Sequence, residues 1–134
     1  MIDIENEVFT AIATALRAKY NPIGVYGEWV PSPAIFPAVM VEELDNYALE
    51  RTQDSGSLEN HAGLMYEINV FSNLTVGKKS QAKNIFKDID AVMAGLGFTR
   101  TVKTAIPNVE DATIYRMVGR YKAVGSKDKI IFRR

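Results

Sequence analysis

Few residues of this chain are of types that do chemistry, and their spacing decides what is left open. There is no cysteine and one histidine, which removes disulfides, thiolate metal sites and cysteine nucleophiles and leaves His61 as the only soft ligand. His61 lies in the polar stretch LENHAG and is expected to be a solvated loop residue rather than a ligand or a base. Asp88 and Asp90 stand two apart in a helical pattern, so their carboxylates point to different faces and do not share a metal. Glu42 and Glu43 are adjacent in a strand pattern and diverge in the same way. GVYGEW lacks the spacing and the lysine of a phosphate-binding loop, and GSKDK follows no GxxxxG frame. These residues predict no catalytic set, no metal and no cofactor, and the chain reads as a non-enzyme.

What remains is charge. Residues 1 to 75 hold 3 basic against 11 acidic groups, a net −8, and residues 76 to 134 hold 13 against 5, a net +8, so the formal total is zero. Such a contrast either lets the two halves attract each other within one subunit or gives one copy two unlike surfaces to present to its neighbours. Lys79, Lys83 and Lys87 recur every four residues and form a basic ridge on one helix face. Arg116, Arg120 and Lys122 share one face of a strand pattern, interleaved with Tyr115 and Tyr121. That is a weak echo of a stacking platform for nucleic acid, but no RNA-binding motif is spelled out and the tyrosines read as core.

The elements that must position these groups follow from hydrophobic periodicity. Length and composition, 134 residues with 47% hydrophobic and 24% charged, suit one domain with one core. No apolar run approaches the ~18 residues of a membrane helix. The acidic start MIDIENEVF is unlike a signal peptide, so a cytosolic origin is expected. Ile4, Val8, Ile12 and Leu16 set out a helix from Ile4 to Tyr20, with Asp3 placed to cap it and Asn21-Pro22 to end it. IGVYGEWV reads as a short edge strand with Trp29 at its end, followed by Pro31, Pro33 and Pro37, which forbid a central strand. Ala38 to Leu44 reads as a strand whose end at Glu42 and Glu43 emerges into solvent.

The cleanest strand is GLMYEINVFSN, Gly63 to Asn73, with Leu64, Tyr66, Ile68 and Val70 on one face and Glu67, Asn69 and Asn73 on the other. It feeds a second helix, Lys78 to Leu96, whose buried stripe is Ala82, Ile85, Phe86, Ile89, Met93 and Leu96 and whose stop is Gly97. Strands follow at Phe98 to Ala105 and Thr113 to Val124, with turns at Pro107 to Asp111 and Gly125 to Lys127 and a short terminal strand at Lys129 to Arg133. Residues 45 to 62, DNYALERTQDSGSLENHA, are too polar to fold alone and read as a protruding arm with its tip near Ser55 to Ser57. The arm is expected to be mobile in a free subunit and ordered against a partner through its few apolar groups, Tyr47, Leu49 and Leu58.

The order helix, two strands, arm, strand, helix, strands, together with FPAVMVEEL at Phe36 to Leu44, YEINVFSN at Tyr66 to Asn73, Gly77 with Ala82, Ile85 and Ile89, Gly97-Phe98-Thr99-Arg100, and YRMVGRYKA at Tyr115 to Ala123, resembles the tail terminator and tail-completion proteins of long-tailed bacteriophages. The resemblance implies an α+β fold, a twisted and mostly antiparallel sheet of four to five strands with both helices on one face. It also implies a hexameric ring at the head-proximal end of the tail tube that stops tube growth and presents the docking surface for the head connector. The implied partners are further copies of the chain, the tail tube protein and the head connector or stopper, with DNA passing through without sequence-specific binding and no membrane. The implied location is the virion tail or neck, and the host cytoplasm during assembly. Another neck or minor capsid component, or a soluble α+β binding module, are the alternatives.

Overall fold

The computed structural model describes residues 1–48, 61–107, 111–126 and 131–132. The element order is α1 (Glu5–Lys19), β1 (Gly24–Tyr26), β2 (Ala38–Ala48), β3 (His61–Ser72), α2 (Lys78–Gly95), β4 (Thr99–Pro107), β5 (Tyr115–Ser126) and β6 (Ile131–Phe132). The strands form one open, mixed sheet in the order β1-β2-β3-β5-β4, with β6 continuing on the β4 side of β5. Among the described residues only β1 and β2 run parallel, and every other ladder is antiparallel. The expected α+β class is therefore observed, with one strand more than expected when β6 is counted.

β3 is central, as its alternation requires. Leu64, Tyr66, Ile68 and Val70 are all buried and join the main core with Val39 and Val41 of β2 and Met117, Tyr121 and Ala123 of β5. Into the same core come Val8, Ile12, Ala13 and Leu16 of α1 and Ala82, Ile85, Phe86, Ile89 and Met93 of α2, so both helices cover one face of the sheet. The Phe86 and Tyr121 rings stack at 6.3 Å between centroids. That approach needs a residue without a side chain at Gly119, where a Cβ would sit 2.1 Å from the Phe86 ring.

The helix ends follow their local chemistry. The expected capping by Asp3 takes the form of a contact from one residue further out: Ile4 is the N-cap, and the Asp3 carboxylate accepts from the Glu5 N–H at 3.1 Å. α2 ends in a Schellman motif. Phe98 N–H donates to Met93 O at 2.9 Å and Gly97 N–H to Ala94 O at 3.0 Å, with Gly97 at φ +96°.

Three sequence expectations need correction. β2 does not end at Leu44. After a bulge between Glu43 and Asp45, it continues to Ala48, with Asp45, Asn46, Tyr47 and Ala48 facing Met65, Leu64, Gly63 and Ala62 of β3. Pairing thus extends the sheet into both ends of the region read as an arm, where polar composition gave no strand signal, and His61, expected in a solvated loop, is instead the first residue of β3, half-buried opposite Ser126. Residues 49–60, including Leu49, Leu58 and the expected tip, lie outside the described residues. β5 likewise runs on through Gly125 to Ser126, where a turn was expected, because β3 pairs with it along its full length. It begins at Tyr115 rather than Thr113, after Asp111 has turned the chain by accepting from the Thr113 N–H at 2.9 Å and the Thr113 hydroxyl at 2.6 Å. Finally, the edge strand at Ile23 to Val30 contracts to three residues, and Trp29 leaves the strand to lie over the sheet face that the helices do not cover.

Candidate interaction surfaces

The charged residues are displayed on three surfaces. The first is the sheet face opposite the helices, where register aligns Phe71, Asn69, Glu67 and Met65 of β3 with Arg116, Val118, Arg120 and Lys122 of β5. The loop after β1 folds across one end of this face. A small second apolar cluster of Ala38, Met40 and Phe71 forms there, with Tyr26, Val30, Phe36 and Ile114 packed against it.

Trp29 meets Phe71 edge to face at 5.8 Å, and the Arg116 guanidinium lies 5.2 Å from the Trp29 ring centre and 5.7 Å from that of Phe71. A guanidinium held between two aromatic faces is stabilised by their quadrupoles and, here, by a side-chain partner. Arg116 Nε donates to the fully buried Asn69 at Oδ1 (2.9 Å), Asn69 Nδ2 donates to Glu67 Oε1 (3.3 Å), and Arg120 Nε donates to Glu67 Oε2 (3.0 Å). One polar chain thus runs across the β3–β5 seam from Trp29 to Arg120. Beside it, Trp29, Val30, Phe36, Met40, Phe71 and Arg116 line an open cleft.

The second surface is the outer side of α2. Lys79, Lys83 and Lys87 are all exposed there, as their spacing predicts, and among the described residues none of them is in an ion pair. The helix faces away from Arg116 and Arg120, so the two basic rows do not form one patch. Asp88 and Asp90 diverge as expected, and each is engaged within the subunit. Asp88 accepts from Lys19 Nζ at 3.1 Å and from the Tyr20 hydroxyl, while Asp90 accepts from Arg100 Nη1 and from the Tyr121 hydroxyl, both at 2.9 Å. Burial and the Asp88 bond push the Tyr20 phenol up to about 12; burial and Asp90 push Tyr121 up as well.

The third surface is an acidic corner where the start of α1 meets the bulge of β2. Glu43 shares a hydrogen bond with Glu5 and accepts from Asn46 Nδ2 at 2.9 Å, while Asn46 Nδ2 also donates to Ile2 O at 2.6 Å. Burial first, then the Glu5 carboxyl, push Glu43 up to about 7, whereas Asn46 opposes that shift. Tyr66, 1% exposed, has a buried hydroxyl with no hydrogen-bond partner among the described residues. It lines a cleft with Glu5, Asn6, Phe9, Gly27 and Val41, and burial followed by the neighbouring carboxylates of Glu43 and Glu5 raises its pKa.

Of the residues singled out in the sequence, Tyr47 lies on β2 with its ring across Gly63 of the neighbouring strand, partly exposed. Lys122 is half-buried at the far end of the β5 row. Three participants escaped sequence reading: Trp29, Asn69, and the pair Glu5 and Glu43. Alternation put Asn69 on the same face as Glu67, but the cross-strand register that delivers Arg116 to it carries no sequence signal. Among the described residues no group of three or more His, Cys, Asp or Glu is arranged to hold a metal ion, and no helix is long and apolar enough to cross a membrane.

No family model matches the chain, and no curated protein matches it. Among solved structures, the fold is similar to that of a chain in the virion of a native gene transfer agent particle, at TM-score 0.59 and 18% identity over 84% of this chain and 90% of that one. The architecture is therefore one that an assembled virion also uses.

Proposed function

We propose that the chain is a structural virion protein that forms a ring at the head-proximal end of a phage tail tube, ends tube growth and offers the docking surface for the head connector. The observation that carries this reading is the fold likeness to a virion chain, joined to the sequence resemblance to tail terminators. The display of charge supports it. A ring subunit needs two unlike surfaces for its neighbours and a further one for an axial partner, and the acidic corner, the basic outer face of α2 and the open sheet face are separate.

The test is to delete the gene and image the products. Tails of uncontrolled length that fail to join heads are expected, with the protein detected at the tail–head junction of wild-type particles. Normal joined particles after deletion, or absence of the protein from particles, would refute the proposal. A second reading, as another neck or minor capsid component, draws on the same fold likeness; detection on the head side of the junction with normal tail length would favour it.

A further inference from the structure

The sheet has two open edges of opposite character. On one side β1 covers only Ala38 to Met40, so β2 from Val41 to Asp45 is an outer edge, carrying Glu42, Glu43 and Asp45. On the other, no strand among the described residues lies beyond β4, and seven of its nine residues are exposed; it carries Arg100 and Lys103. An uncovered strand presents unpaired backbone N–H and C=O groups that another strand can satisfy. Each edge also exposes an apolar side chain, Leu44 at 45% and Val102 at 41%.

We propose that copies of this chain join edge to edge, β4 of one copy adding to the outer edge of β2 of the next, with Lys103 set against Glu43. Direction follows from the ladders. β2 is antiparallel to β3, β3 to β5 and β5 to β4, so β4 runs opposite to β2. A copy of the same orientation placed alongside therefore meets β2 antiparallel, with its helices on the same side of the continued sheet. Lys103 lies opposite Gly119 and Glu43 opposite Tyr66, which puts both on the helix side. The register that pairs them also sets Thr104 against Glu42, Ala105 against Val41, and the exposed Val102 against the exposed Leu44.

Charge selects this arrangement over its symmetric rivals. Two β2 edges would bring acidic rows together, and two β4 edges would bring cations together, each disfavoured by like charge directly opposed. Among the described residues neither Glu43 nor Glu5 is in an ion pair, and a lysine arriving beside them supplies a cation to this pair of carboxyls. The contact is heterologous, so it builds a ring where its rotation closes and a filament where it does not. It names a second copy as the partner and rests on the ring reading only for closure.

The absence of cysteine makes the test clean. In the full chain, the double variant Thr104→Cys with Glu42→Cys, oxidised at a concentration where the protein associates, is expected to give a disulfide-linked ladder beyond the dimer, since directly opposed positions lie within bridging distance. Each single variant is expected to stay unlinked. Linked dimers from a single variant would show a symmetric contact and overturn the proposal, as would the absence of a ladder. Independently, Lys103→Glu is expected to weaken self-association about tenfold or more by sedimentation, with recovery when Glu43→Lys is added; no change, or no recovery, would overturn it. A ladder formed by a protein absent from particles would support this contact while refuting the virion reading.

Discussion

Glu43 gives the chain a pH dependence opposite in sign to that of most surface carboxylates. Its ordinary pKa of 4.5 is pushed up to about 7 in the folded protein by burial and by the Glu5 carboxyl. A carboxyl that binds its proton more tightly in the folded state stabilises the fold below its unfolded pKa. That contribution is lost as pH rises through the folded value. The window is therefore about pH 4.5 to 7. A displacement of this size corresponds to about 3 kcal/mol for a group wholly removed from water. Glu43 keeps part of its surface in solvent, and screening reduces the figure to about 1–2 kcal/mol. Urea unfolding at pH 5 and pH 8 measures it: the wild type is expected to lose about 1–2 kcal/mol between the two more than Glu43→Gln, whose neutral amide keeps the Asn46 and Glu5 contacts without titrating. If the two proteins change equally with pH, the carboxyl pair is not the cause and the account of this corner is wrong.

Two glycines with nearly equal clashes test whether the packing is understood. A Cβ at Gly119 would meet the buried Phe86 ring at 2.1 Å and one at Gly63 the 40% exposed Tyr47 ring at 2.2 Å, so Gly119→Ala should cost about 1–3 kcal/mol by overpacking, and Gly63→Ala should cost less because its neighbouring ring lies at the surface and not in the core; chemical denaturation ranks them. Tyr121→Phe removes the hydrogen bond to Asp90 but leaves Arg100 on it, so a loss of about 1 kcal/mol is expected in the same assay. Self-association should weaken with salt as the Debye length falls to about 3 Å near 1 M; a mass unchanged by salt in light scattering would mean that apolar packing holds the copies together.

Much of this architecture is legible in the sequence, and the limits have physical causes. The strand at β3, the buried stripe of α2 with its Gly97 stop, and the two-faced alternation of β5 are local periodicities, and local periodicity is what a single sequence records. Asp45 to Ala48 form a strand only because β3 lies alongside, a tertiary effect that overrides their weak propensity. Trp29 reaches Arg116 because the proline-rich loop turns back over the open face. Glu43 meets Glu5 because the bulge of β2 lies under the first turn of α1. In each case the residues are visible in the sequence and their meeting is not, since it depends on register and on the placement of a loop.

The charge contrast between the halves of the sequence becomes geometry through the sheet order. β1, β2 and β3 come from the acidic half and β5 and β4 from the basic half, and they stand in the sheet as β1-β2-β3-β5-β4. The order of the chain is thus nearly preserved across the sheet, and the boundary between the two charge signs falls at the β3–β5 ladder. There the contrast is used within the subunit, by Glu67 with Arg120 across the seam. The same ordering leaves β2 from Val41 to Asp45 and β4, each one strand away from the seam, with unlike charges that no other strand among the described residues lies beside on the outer edge. Attraction within one copy and the complementarity proposed between copies both follow from a single arrangement, and the Lys103→Glu and Glu43→Lys exchange separates them because it touches the edges and spares the seam.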